Sequence, residues 1–244
     1  MTYSSNLRAL KDSFIGGKDK RIVAAEIAST FGRRELSFLD IGLGDGSYLR
    51  KLRDELKPQG TTLHVTGVEP LKSALREAQL ELPDAKLHAV SFEEYQTEYR
   101  FDVVHARQCL YYVSNLHEAL NKLLLLTAPG GLLIVNLWSN QCVLYRLHCQ
   151  TFPDSPRQSI DAEKTFQMLS NTVSSDTRLM YCSGLVDFDK WLNSTATFAA
   201  ALDVISRGVS FRNGRSKILR QLITQIEHRG VRVNGLVFSR VFSR

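Results

Sequence analysis

The run Phe38-Leu39-Asp40-Ile41-Gly42-Leu43-Gly44-Asp45-Gly46-Ser47 holds the residues best suited to chemistry in this chain. Three glycines stand at alternate positions after an apolar stretch and an acid. Without a Cβ, and with positive φ open to it, a glycine loop lets backbone come close to a ligand. The spacing is neither that of a phosphate loop, which needs Gly-Lys-Ser/Thr, nor that of the dinucleotide motif G-x-G-x-x-G. The loop's amides and the helix start near Ser47 would face a bound group. Glu69, in Thr66-Gly67-Val68-Glu69-Pro70, follows 23 residues after Gly46. A carboxylate at the end of a second strand can accept hydrogen bonds from both hydroxyls of a ribose. Ser91-Phe92 offers a hydroxyl and a ring suited to the edge and face of an adenine, and Arg107-Gln108 follows the fourth strand. Each feature alone also reads as an ordinary turn, cap or core residue. Their order and spacing together point to a nucleoside, held by Asp40, Gly42, Gly44, Gly46, Glu69, Pro70, Ser91, Phe92, Arg107 and Gln108.

The elements that position them alternate. Residues 7–32 read as a helix with an apolar stripe of Ile22, Val23, Ile27 and Phe31, stopping at Gly32. Strands are expected at 36–41, 62–68, 87–90, 101–105 and 132–137, with helices at 48–56, 71–82 and 116–126 between them and a turn at Pro129-Gly130-Gly131. Short apolar strands alternating with helices make a parallel sheet covered on both faces, with ligands beyond the carboxyl ends of the strands. After residue 140 the rhythm breaks. Pro153 and Pro156 mark a loop, Asp161 can cap a helix through Leu169, and 179–182 reads as a sixth strand. Helical pattern recurs at 188–192, 198–205 and 218–226, before a last strand at 231–242. The division expected is an N-terminal helical segment closing the site (1–35), a cofactor-binding core (36–140), cap helices with the sixth strand (141–230) and the final strand (231–244).

Composition fits this reading. At 244 residues, 43% hydrophobic and 23% charged, the chain suits one large domain. No apolar stretch reaches the roughly 18 residues of a membrane span. Residues 1–6 lack the basic-then-apolar pattern of an export signal. Cys109, Cys142, Cys149 and Cys182 have neither C-x-x-C nor zinc spacing. Reduced thiols, a cytoplasmic location, no metal and no membrane partner are therefore expected. The net charge of +6 is concentrated late: Arg207, Arg212, Arg215, Lys217, Arg220, Arg229, Arg232, Arg240 and Arg244 stand against Glu227 alone. This reads as a solvated helix face and an anion-tolerant surface, or as a nucleic-acid or acidic-substrate site.

The D-x-G-x-G-x-G loop, the acid after the second strand and the Pro129-Gly130-Gly131-Leu132-Leu133 turn resemble class I S-adenosylmethionine-dependent methyltransferases over residues 36–138. The resemblance implies an α/β, doubly wound, mostly parallel seven-stranded Rossmann-like sheet. Its last strand is inserted antiparallel, and a helical cap covers the ligand edge. It also implies S-adenosylmethionine as cofactor and S-adenosylhomocysteine as product. Within the class, Gln108-Cys109-Leu110-Tyr111-Tyr112-Val113 is similar to the hallmark segment of the histamine N-methyltransferases. That likeness places Gln108 and Asn234 beside the substrate, and Tyr111, Tyr112, Tyr145 and Phe152 on aromatic pocket positions. Lys20, or Asp19 with a one-residue shift, falls where that family has a glutamate holding the substrate's amine. A lysine there repels an ammonium and attracts a carboxylate.

The expected function is methyl transfer to a small molecule: an amine, an amino acid or an oxo-acid derivative. The alternatives are an RNA or protein methyltransferase using the basic C-terminal surface, and a catalytically silent cofactor-binding protein. The Asn/Asp-Pro-Pro-Tyr/Phe motif of base-methylating enzymes is absent after the fourth strand. Gln108 and Asn234 can orient by hydrogen bonding but cannot serve as bases. His105, inside a strand, reads as a core histidine, and no catalytic base is assigned. Whether the chain is a monomer or a homodimer is not legible.

Overall fold

Strand β2 (Glu35–Ile41) sends Leu36 and Phe38 to one face and Leu39 and Ile41 to the other, the period-two alternation of a pleated strand. Both faces are apolar, so both must be covered. In the computed structural model, which describes residues 10, 13–172, 176–207, 209, 214–226 and 229–242, helices cover them. Helices α1 (Asp19–Phe31), α2 (Ser47–Leu56) and α3 (Lys72–Glu81) close one face through Val23, Ile27, Leu49, Leu52 and Ala78. Helix α4 (Leu116–Leu126) joins α5 (Val143–Thr151), α6 (Ala162–Thr172), α7 (Phe188–Leu192), α8 (Thr195–Ser206) and α9 (Gly214–Thr224) on the opposite apolar cluster.

The other strands are β1 (Phe14–Gly16), β3 (Thr62–Val68), β4 (Lys86–His88), β5 (Phe101–Arg107), β6 (Thr127–Trp138), β7 (Thr177–Asp187) and β8 (Arg229–Arg240). The sheet runs β1-β7-β8-β6-β5-β2-β3-β4. Strands β2 to β6 are parallel. The last strand, β8, lies antiparallel between β6 and β7. This is the expected sheet with one addition. Strand β1 makes an eighth strand on the outer edge of β7, with Phe14 opposite Val186.

That addition corrects the helix expected over 7–32. Gly16 and Gly17 both adopt positive φ, 71° and 100°. Such backbone ends a right-handed helix, so the segment is strand, glycine turn, then helix from Asp19. The part of that expectation at residues 7–9, 11 and 12 lies outside the described residues. The sixth strand is longer than 179–182 because it pairs with β8 from Thr177↔Ser239 to Asp187↔Arg229. The turn at residues 129–131 is drawn into β6 as an irregularity: pairing with β5 jumps from Phe101↔Thr127 to Val103↔Leu132.

Helix α6 lies directly on the sheet. A Cβ at Gly235 would sit 2.2 Å from Ala162 Cβ, so the glycine permits the approach. Helix α5 packs against both α8 and α9, and α7 against α8. No helix among the described residues is long and apolar enough to cross a membrane.

Asp40 shares the face of Phe38 and is buried beneath the glycine loop. Its Oδ1 lies 2.8 Å from His105 Nδ1, and the fully buried His105 ring stacks on Tyr48 at 5.6 Å and 6°. Asp40 is therefore a core partner of His105 rather than a cavity residue. Asp40→Asn keeps the shape and removes the charge from this bond. The expected loss is about 1–2 kcal/mol of unfolding free energy, read as a lower urea midpoint at unchanged slope.

Candidate active site

One cavity of about 510 Å³ opens at the carboxyl ends of the parallel strands, where an open α/β sheet places its ligands. Its first half is built from the loops after β2, β3 and β4. Gly42 and Gly44 line it with φ of 69° and 62°. A Cβ on Gly44 would meet nothing within 4 Å, whereas one on Gly42 would strike Cys109 Cβ at 2.4 Å. The loop is tied to the next strand end by Glu69: Gly44 N donates to Oε2 at 3.1 Å and Leu71 N to Oε1 at 3.0 Å. Each carboxylate oxygen keeps lone-pair capacity on the cavity side. Burial pushes the Glu69 carboxyl above its ordinary value, against the opposing pull of the two amides. Pro70, Ser91 and Phe92 continue this wall. The Ser91 hydroxyl donates to Glu94 at 2.9 Å.

Gly46 departs from its expected role. It caps α2 with φ 73°, and an added Cβ would lie 3.1 Å from Ala78 Cα. The third glycine thus serves the packing of α2 on α3 and does not line the cavity.

The second half is formed by Arg107 to Val113, Trp138, Arg232, Asn234, Phe14 and two cap residues, Leu144 of α5 and Val204 of α8. A chain of polar contacts runs along its floor. Asn136 Nδ2 lies 3.5 Å from Asp19 Oδ2. Gln108 Nε2 donates to Asn136 Oδ1 at 3.1 Å. The Tyr111 hydroxyl donates to Gln108 Oε1 at 3.2 Å and accepts from Trp138 N at 2.5 Å. Gln108 holds positive φ, 53°, with its N donating to Asn136 O at 2.8 Å. A strained conformation of this kind costs about 1–3 kcal/mol and marks a position held for its geometry. Asn234 Oδ1 is buried with no hydrogen-bond partner among the described residues.

Of the two residues matched to the N-terminal acid, Asp19 is the one tied into this network. Burial opposes its charge, but Arg107, Lys20 and Arg232 outweigh burial and hold it below the ordinary carboxylate value. Lys20 sits outside, 3.9 Å from Asp19 and over the Tyr48 ring. Tyr145 and Phe152 also miss the cavity. The Tyr145 hydroxyl donates to Gln158 O at 2.6 Å, and Phe152 is buried among the cap helices. Tyr111, Tyr112, Gln108 and Asn234 do line it.

Sequence reasoning passed over Asn136, Trp138, Phe14, Arg232 and Arg207. Asn136 had a signal, a polar residue within the apolar run of β6. Arg207, counted with the solvated basic surface, is fully buried. Its guanidinium stacks behind Tyr111 at 3.8 Å and Trp138 at 4.5 Å and donates to Arg157 O and Ile160 O, both at 3.0 Å. It stiffens the wall from outside the cavity.

A model of the methyltransferase domain matches residues 16–202. The chain belongs to the methyltransferase domain family. This methyltransferase draws its methyl group from S-adenosylmethionine, and Glu69 with the two cavity glycines fits that group: a carboxylate with unused lone pairs faces a cleft kept free of side chains at Gly44. Solved structures share the fold. The YcgJ protein of Bacillus subtilis has TM-score 0.63 at 13% identity, covering 92% of this chain and 99% of its own. The N-methyltransferase NodS of Bradyrhizobium japonicum has TM-score 0.56 at 14% identity, with 93% and 96% covered. The plantazolicin methyltransferase BpumL, solved with a triazolic analogue and S-adenosylhomocysteine, has TM-score 0.54 at 15% identity, with 91% and 83% covered. No curated protein matches the sequence. Among the described residues no group of three or more His, Cys, Asp or Glu could hold a metal ion.

The hydroxyl of Tyr111 joins the floor to the wall, which yields a test. Tyr111→Phe leaves Trp138 N–H buried without an acceptor, a loss of about 1–2 kcal/mol. Gln108 also loses a donor. Turnover is expected to fall while S-adenosylhomocysteine affinity stays within about twofold, the pattern of a lost acceptor-side contact.

Proposed function

We propose that this methyltransferase acts on a small-molecule acceptor enclosed beneath the cap helices. The observation that carries the reading is a single chamber with two unlike halves. One is backbone and carboxylate, suited to a nucleoside. The other is aromatic and apolar, lined also by Leu144 and Val204 of the cap, with the amides of Gln108 and Asn234 in its wall. Its volume of about 510 Å³ lies in the usual range of small-molecule pockets, about 300–1,000 Å³. The basic stretch gives little support to a nucleic-acid partner. Arg207 is buried and Arg232 lines the cavity. Arg220 stacks on Phe198 at 4.3 Å, and Arg215 pairs with Asp154 at 3.7 Å.

In this reading Glu69 takes the ribose hydroxyls, Gly42 and Gly44 admit the amino-acid part, and Ser91-Phe92 and Pro70 border the adenine. When bound, S-adenosylmethionine supplies a methyl carbon that a lone pair on the acceptor takes from sulfur, the sulfur keeping the bonding pair and leaving as S-adenosylhomocysteine. Gln108 and Asn234 orient the acceptor, and the apolar wall excludes water. Alignment of this kind supplies about 7–11 kcal/mol in favourable cases. Tyr111 and Cys109 flank Gln108, and burial pushes both well above their ordinary values. Both stay protonated at neutral pH, and neither is a base. His105 is sealed in the core. The chain contributes position rather than proton abstraction.

The test uses S-adenosylmethionine labelled in its methyl group, purified protein and whole-cell extract, resolved by size. Label in the small-molecule fraction is expected. Label on RNA or protein contradicts the reading.

A further inference from the structure

The acceptor half of the chamber holds more positive charge than its own carboxylate can balance. Arg107 and Arg232 both line it, Lys20 stands just outside, and Asp19 is the one acid among them. Arg107 is engaged, with Nε 3.4 Å from Asp19 Oδ2 and its guanidinium over Tyr48 at 4.2 Å. Arg232 is not. Its guanidinium lies 4.9 Å over the Phe14 ring and makes no hydrogen bond and no salt bridge among the described residues. The backbone keeps a passage open for it: a Cβ on Gly17 would sit 2.8 Å from Arg232 Nη2, and one on Gly184 3.4 Å. Burial and the neighbouring Arg107 charge both lower its hold on its proton, with Asp19 opposing at a distance. A guanidinium has five donors in a fork that matches a carboxylate, and Arg232 lines the ligand cavity.

Two residues along β8 stands Asn234, whose buried Oδ1 lacks a donor among the described residues. Residues two apart on a strand leave the same face, about 7 Å from each other. One small molecule spans that distance.

We propose that the acceptor carries a carboxylate, held by Arg232 with Arg107 beside it, together with an N–H or O–H that donates to Asn234. This rests on the reading of the chamber as a small-molecule methyl-transfer site and names its substrate class: amino acids, hydroxy acids and similar carboxylates with an apolar body facing Trp138 and Leu144. The sulfonium of the bound donor adds a further positive charge nearby. An anionic acceptor relieves all of these, whereas a free amine without a carboxylate adds to the repulsion.

The test is binding to the full chain saturated with S-adenosylhomocysteine, followed by tryptophan fluorescence and calorimetry. The probes are phenyllactate, phenylalanine, leucine and benzoate, each against its own primary amide. At least one of the first three acids is expected to bind about tenfold more tightly than its amide, with benzoate, which lacks the N–H or O–H donor, weaker. Arg232→Gln should abolish the acid-over-amide preference, and Arg232→Lys should retain part of it, with S-adenosylhomocysteine affinity unchanged in both. Equal binding of acids and amides, no binding by any of the acids, or a preference that survives Arg232→Gln overturns the proposal. The labelling experiment separates the two levels. Label on a small molecule without a carboxylate overturns only this inference, and label on RNA or protein overturns the reading beneath it.

Discussion

Glu69→Gln is expected to weaken S-adenosylhomocysteine binding by about 10- to 100-fold, the loss of one or two charge-assisted hydrogen bonds at about 1.5–3 kcal/mol each. The wild-type carboxylate accepts Gly44 N on one oxygen and Leu71 N on the other and still has lone pairs for a ribose diol. A glutamine has one acceptor oxygen and puts an NH2 against one of the two amides, so both the loop tie and the ligand contact suffer. The effect of pH follows from the same residue. Burial raises the Glu69 carboxyl from its ordinary value, so the folded chain holds this proton more tightly than the unfolded one. Its contribution to stability is therefore present at low pH and is lost as pH rises through the raised value. In the proposed reading cofactor binding runs the other way, because the ribose hydroxyls would donate to the ionised form. Affinity should fall as pH drops, and the fall should begin above the pH at which an ordinary glutamate titrates. Calorimetric titration across pH measures this in wild type, and Glu69→Gln should flatten the profile.

Gly42→Ala is expected to lose both stability and cofactor. A non-glycine residue at φ 69° is strained by about 1–2 kcal/mol. The new methyl also meets Cys109 Cβ at 2.4 Å. That atom has little freedom to yield, since Cys109 Sγ donates to Ile41 O at 3.1 Å. Overpacking of this kind adds about 1–3 kcal/mol. Gly42 N also donates to Val68 O at 2.8 Å, so a displaced loop drags the end of β3 and Glu69 with it. The total, about 2–5 kcal/mol, is a large part of an ordinary domain's 5–15 kcal/mol. Gly44→Ala separates the two effects. Its Cβ would enter open space, leaving the strain of φ 62° and a methyl in the cleft. Thermal unfolding should show a large shift for Gly42→Ala and a smaller one for Gly44→Ala, with S-adenosylhomocysteine affinity reduced in both.

The glycine loop, Glu69 and the alternation of strands and helices were legible because they are local: a motif of ten residues, an acid at a strand end, apolar runs of the right length. What failed depended on partners distant in sequence. Strand β1 exists because the edge of β7, some 170 residues later, is there to pair with it, and Gly16-Gly17 falls inside the helix expected over 7–32, ahead of the apolar stripe from Ile22 to Phe31 that favours it. Asp40 belongs to the motif, yet strand parity puts it on the face of Phe38 with His105, outside the cavity lining. Tyr145 and Phe152 were placed by resemblance, which carries residue types but not the rotation of α5. Arg207 and Arg232 looked like members of one basic surface. The left-handed turn after α8, with Arg207 at φ 52°, and the register of β8 against β6 and β7 send both inward.

A crystal structure of the complex with S-adenosylhomocysteine is the most direct check on a chamber with a nucleoside half and an acceptor half. The ribose hydroxyls should lie on Glu69, the adenine against Ser91-Phe92, and the sulfur should point toward Gln108, Asn234 and Trp138 with enclosed space beyond it. A ligand bound with its sulfur facing open solvent, or with its ribose away from Glu69, would contradict the account.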